Sequence, residues 1–78
     1  MYYKLYAIRE RDTDESEYKE FITTGNSIDE LIKYVKQHIN NYKENTLTFV
    51  IYKDDEEVFI IYKYYSNIIV YDKHKKED

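Results

Sequence analysis

The chain has 78 residues, a net charge of −4, eleven tyrosines, three phenylalanines, one glycine and no cysteine. That length allows one domain, and without cysteine neither a disulfide framework nor a thiolate metal site can hold it together. The charge is spread as −2 over residues 1–26, 0 over 27–45 and −2 over 46–78, which disfavours direct nucleic-acid binding, where a basic patch must replace counterions.

Residues 2–9 read as a first strand, rich in tyrosine, and Lys4 and Arg9 interrupt any leader-like apolar run there. No stretch approaches the roughly 20 apolar residues that cross a bilayer, so a cytoplasmic protein with no membrane partner is expected. The charged stretch from Glu10 to Glu17 reads as a loop, and residues 18–23 as a short second strand ended by Gly25.

A helix follows. Ser27 and Glu30 form a capping-box pattern ahead of Ile28, Ile32, Val35, Ile39 and Tyr42, whose spacings of four and three keep them within a stripe of about 80°. The helix is predicted over 28–43. Three strand-like runs come next, 46–53, 57–65 and 68–73, separated by Asp54-Asp55 and Ser66-Asn67, and residues 73–78 read as a frayed tail. The expected fold is therefore α+β, a single two-layer domain of order β-β-α-β-β-β, with one amphipathic helix on one face of an antiparallel sheet.

If both dipeptides are two-residue turns, Lys53 pairs with Glu56, Ile51 with Val58, Tyr64 with Ile69 and Tyr62 with Tyr71. One face then carries Leu47, Phe49, Ile51, Val58, Ile60, Tyr62, Tyr64, Ile69 and Tyr71, a credible floor for the helix. The opposite face carries Val50, Tyr52, Phe59, Ile61, Tyr65, Ile68 and Val70 among Thr48, Lys63 and Asp72. Such a face should be polar if solvated, and an apolar patch this large marks an interaction site. These seven residues are the predicted protein interface.

The inventory offers no catalytic constellation. Cys–His chemistry lacks its cysteine, and one glycine cannot make a phosphate-binding loop. The run Asp12-Thr13-Asp14-Glu15-Ser16-Glu17 lacks the glycine and the bidentate glutamate of a calcium loop. His38 reads as a boundary residue of the helix stripe, and His74 as solvated. No enzyme, cofactor or metal is expected. Two acidic clusters remain: Asp12, Asp14, Glu15 and Glu17 with Glu10 in the first loop, and Asp54, Asp55, Glu56 and Glu57 in the hairpin. They read as solvated tips, or as carboxylates that imitate phosphates in the basic groove of a nucleic-acid-binding enzyme.

The expected function is a small, non-enzymatic protein-binding module. The chain has one alanine and ten lysines to two arginines, a bias that AT-rich coding produces. In type, though through no motif, it resembles the small inhibitors that phages encode against host enzymes and defence systems, anti-CRISPR proteins among them, which implies action in the host cytoplasm. A homodimeric structural or regulatory subunit is the alternative, and a nucleic-acid-binding module ranks third.

Overall fold

The computed structural model describes residues 2–10 and 17–73. Asp12, Asp14, Glu15 and the predicted tail beyond Lys73 lie outside the described residues. The elements are β1 (Tyr3–Glu10), β2 (Glu17–Gly25), α1 (Ile28–His38) with a 3-10 turn (Ile39–Asn41), β3 (Thr46–Lys53), β4 (Glu56–Tyr64) and β5 (Asn67–Asp72). They form a five-stranded sheet of order β2-β1-β3-β4-β5. Every neighbouring pair is antiparallel, and the helix covers one side, giving the expected two-layer α+β domain.

The helix begins as the capping pattern requires. Ser27 Oγ accepts from the Glu30 N–H at 3.1 Å, and the Glu30 carboxylate accepts from the Asn26 N–H at 2.9 Å. Asp29 and Glu30 lie in the first turn and Lys36 and His38 in the last, which matches the helix dipole. The helix stops at His38, short of the predicted residue 43, because His38 leaves helical geometry (φ −110°, ψ 9°) and Tyr42 is extended. The extension places the Tyr42 ring edge-on to Phe49, 5.2 Å between centroids.

Leu31 and Val35 from α1 close on Leu5 and Ala7 of β1, Phe49 and Ile51 of β3 and Ile61 of β4, all essentially inaccessible. Each large apolar side chain buried there contributes about 1.5–3 kcal/mol. Gly25 does not end β2 in a turn; it is the strand's last residue, with no positive φ. A Cβ there would lie 2.9 Å from Leu31 Cδ2, so glycine lets the helix settle against the sheet.

The register departs from the expected one at a single place. The turn at Asp54-Asp55 pairs Lys53 with Glu56 as predicted, with Asp54 in the left-handed region (φ 57°) that aspartate tolerates. One step later Val58 is an extra residue in β4. Ile51 therefore faces Phe59, Phe49 faces Ile61, and Leu47 faces Lys63. A bulge of one residue exchanges the two faces of everything beyond it. The β4–β5 turn is Tyr65-Ser66, one residue earlier than expected, and pairs Tyr64 with Asn67 and Tyr62 with Ile69. Tyr65 adopts φ 56°, and its N–H donates to the Asn45 carbonyl, which anchors the turn.

Two assignments are thereby corrected. Phe59, Ile61, Ile68 and Val70 lie on the helix side: Ile61 is fully buried, and Phe59 and Ile68 pack on the core. Ile60, Tyr62, Tyr64, Ile69 and Tyr71, expected under the helix, lie on the opposite side.

Phe49→Ala is expected to cost about 3–5 kcal/mol of a total on the order of 4–12 kcal/mol for a chain this size, measurable by urea unfolding. Ile61→Lys, which buries an unpaired charge, should abolish the cooperative transition, and a variant that kept it would place Ile61 at the surface. Gly25→Ala should lower stability by about 1–3 kcal/mol through overpacking against Leu31, and an unchanged midpoint would show that Leu31 can yield.

Candidate interaction face

The side of the sheet away from α1 is organised by cross-strand neighbours. Phe21, Tyr6, Val50, Ile60 and Tyr71 are successive partners across β2-β1-β3-β4-β5, and form one row over all five strands. Lys19, Ile8, Thr48, Tyr62 and Ile69 form a second row beside it. With strands about 4.8 Å apart, each row spans roughly 20 Å. Val50 at its centre is only 3% exposed, whereas Phe21 is 53%, Tyr62 44% and Ile69 63% exposed. The face is apolar and aromatic, filled at its middle and open toward both sheet edges.

Its aromatic half is pinned by edge-to-face packing. Tyr6 stands between Phe21 (centroids 5.6 Å) and Tyr52 (5.4 Å). The Lys19 ammonium lies 4.4 Å from the Tyr52 centroid and donates to its hydroxyl at 2.8 Å, while that hydroxyl points on to Glu57 at 3.5 Å. The hydrogen bond to Tyr52 is the largest of the effects that raise the Lys19 pKa above its ordinary 10.5. A raised pKa keeps the ammonium charged and bound through neutral pH, and the bond is lost only as pH rises through that value.

At the far end, β1 and β3 pair only as far as Ile8 and Thr48, although both strands continue. The splay opens a cleft of about 760 Å³ bordered by Ile8, Thr46, Thr48, Tyr62, Tyr64 and Ile69, with Leu47 and the charged Arg9, Glu17, Glu44 and Lys63. Arg9 bonds both Glu20 (3.2 Å) and Glu44, and ties β1 to β2 and to the segment before β3. Lys63, 5% exposed, donates from Nζ to the Glu44 carbonyl. Sequence reading missed Arg9, Glu44 and Lys63. The opposing charges of Arg9 and Glu44 gave no signal at such a separation, and Lys63 was assigned outward by the unbulged register.

Of the seven predicted interface residues, Val50 and Tyr52 lie on this face, Tyr65 is in the β4–β5 turn, and the other four are on the helix side. Of the two acidic clusters, the described members lie apart. Glu17 is exposed at the end of the sheet where β1 finishes, whereas Asp54, Asp55 and Glu56 are exposed at the other end, roughly 23 Å away along the strands. Glu57 is half-buried and bonded to Lys73 at 3.4 Å. His38 donates from Nδ1 to the Tyr34 carbonyl at 2.9 Å and stacks on the Tyr34 ring at 4.1 Å, so it caps the helix end.

No family model matches the chain, and no curated protein or solved structure is significantly similar to it.

Tyr52→Phe should lower the Lys19 pKa toward 10.5 in an NMR titration of its ε-methylene. An unmoved titration would show that the ammonium rests elsewhere.

Proposed function

We propose that the protein is a non-enzymatic binding module that docks another protein on the open face of its sheet and acts by covering a functional surface of that partner. The observation that carries this reading is the pair of cross-strand rows, which leaves Phe21, Tyr62, Ile69 and Tyr71 exposed together on one flat side. Tyrosine and phenylalanine supply large contact area at little entropic cost, and tyrosine keeps a polar tip for the wet rim. Among the described residues the face carries Lys4, Lys19 and, at its β5 edge, Lys73 as cations, and Lys19 is engaged by Tyr52 and Lys73 by Glu57, so phosphate neutralisation has little to work with.

The chemistry of the ends refines the reading. Because Glu17 lies at one end of the sheet and Asp54, Asp55 and Glu56 at the other, these carboxylates act as separate steering charges toward a partner with basic surroundings, such as a nucleic-acid-binding enzyme. Occlusion makes inhibition the activity to assay, in the manner of a phage-encoded inhibitor.

The experiment is capture from bacterial lysate with and without nuclease, using the wild-type chain and a Phe21→Asp/Tyr62→Asp variant. A nuclease-resistant protein retained by the wild type and lost by the variant, with helix content unchanged, is expected. Reversal of Asp54 and Asp55 should slow association and flatten its salt dependence while leaving the complex formed. Capture that disappears with nuclease, or that the double variant retains, would overturn the reading.

A further inference from the structure

The two edges of the sheet differ in how they are protected. On β2 the strand is broken by a bulge at Ile22, carries Glu17, Lys19 and Glu20, and lies beside the helix. Bulges, charges and covering elements are the devices that stop a strand edge from pairing with another chain. On β5 no bulge is present, and its charge is confined to the last residue, Asp72. Residues 67–71 are Asn-Ile-Ile-Val-Tyr, without charge, proline or glycine, and the ladder to β4 is regular throughout. Ile69 is 63% and Val70 39% exposed, on opposite sides of the sheet.

The hydrogen-bond phase of this edge follows from its inner ladder. The Lys73 N–H donates to the Val58 carbonyl at 3.0 Å. Alternation then turns the backbone of Tyr71, Ile69 and Asn67 toward β4, and the N–H and C=O groups of Ile68 and Val70 outward. The outward groups are ready for a strand on that side.

We infer that β5 is a homodimerisation edge, and that its occupant is β5 of a second copy, antiparallel about a two-fold axis normal to the sheet. Centred on Ile69, this pairing sets Ile68 opposite Val70 of the other copy with their outward groups bonded, and Asn67 opposite Tyr71. Apolar residues meet on the helix side, no like charges oppose each other, and the two helices stand on the same side of a ten-stranded sheet. Residues 67–71 bring no charge against themselves under such a two-fold. A six-residue edge is small beside the roughly 800 Å² per partner of a standard interface, so the dimer is reversible and concentration-dependent.

The test combines sedimentation velocity with amide exchange on the full chain. The average mass should rise from one chain toward two with concentration, and exchange at Ile68 and Val70 should slow by about tenfold or more in parallel. Val70→Pro removes an outward N–H without touching the β4 ladder and should leave a monomer at every concentration, with Ile69 and Tyr71 amides still protected. Ile69→Lys, a charge at the centre of the two-fold, should do the same and serves if the proline variant does not fold. A wild type that stays monomeric would overturn the inference. So would a dimer that survives both variants, or one abolished only by Phe21→Asp/Tyr62→Asp. The inference does not depend on the proposed partner, whose capture the edge variants should leave intact.

Discussion

One extra residue in β4 decides what this molecule shows to solvent. Without Val58 as a bulge, Phe59, Ile61 and Val70 would point away from α1, and Tyr62, Ile69 and Tyr71 would have to fit beneath it. With the bulge, Ile61 completes the buried cluster around Phe49 and the tyrosines stay outside. The choice follows from packing: β-branched and aliphatic side chains fill the space under a short helix without leaving a phenol hydroxyl in need of a partner. The bulge follows the hairpin turn closely, so two local features set the identity of both faces.

This explains what could be read from the sequence and what could not. The helix was legible because its apolar spacing and its Ser27–Glu30 cap are local signals. The strands were legible from their β-branched and aromatic runs, to within a residue or two at most ends. The face assignment was not, because Val58-Phe59-Ile60-Ile61 is apolar in both parities and offers nothing by which a slip of one residue could be noticed. Lys63 favoured the unbulged register, and it misled: its ammonium is buried against the Glu44 carbonyl rather than solvated. That both sides of the β3–β5 meander are apolar was readable, so an apolar outer face was expected, while most of its members were exchanged. The cleft was invisible because it depends on where the β1–β3 ladder stops, a tertiary fact with no local marker.

On the proposed reading, the face and the two ends of the sheet divide the work of recognition. The aromatic rows would give contact area, and Glu17 at one end with Asp54, Asp55 and Glu56 at the other would give direction to an approach without adding much to the affinity of the final contact. Arg9 illustrates how the frame is kept rigid at the splayed end. Its guanidinium holds β2 and the segment before β3 at once, which spares the strands from parting further where their backbone pairing has ended.

The strand order also governs how the sheet can assemble. The β1–β2 hairpin and the β3–β4–β5 meander are each made of near neighbours in sequence, and can form on their own timescale. Their backbones pair with each other through the β1–β3 ladder, which requires closing the long loop that contains the helix. That closure carries the largest loop entropy of the sheet's ladders. Until it occurs, β1 and β3 each have one side bare, so the centre of the finished sheet is the part of the chain most exposed to mispairing while it folds.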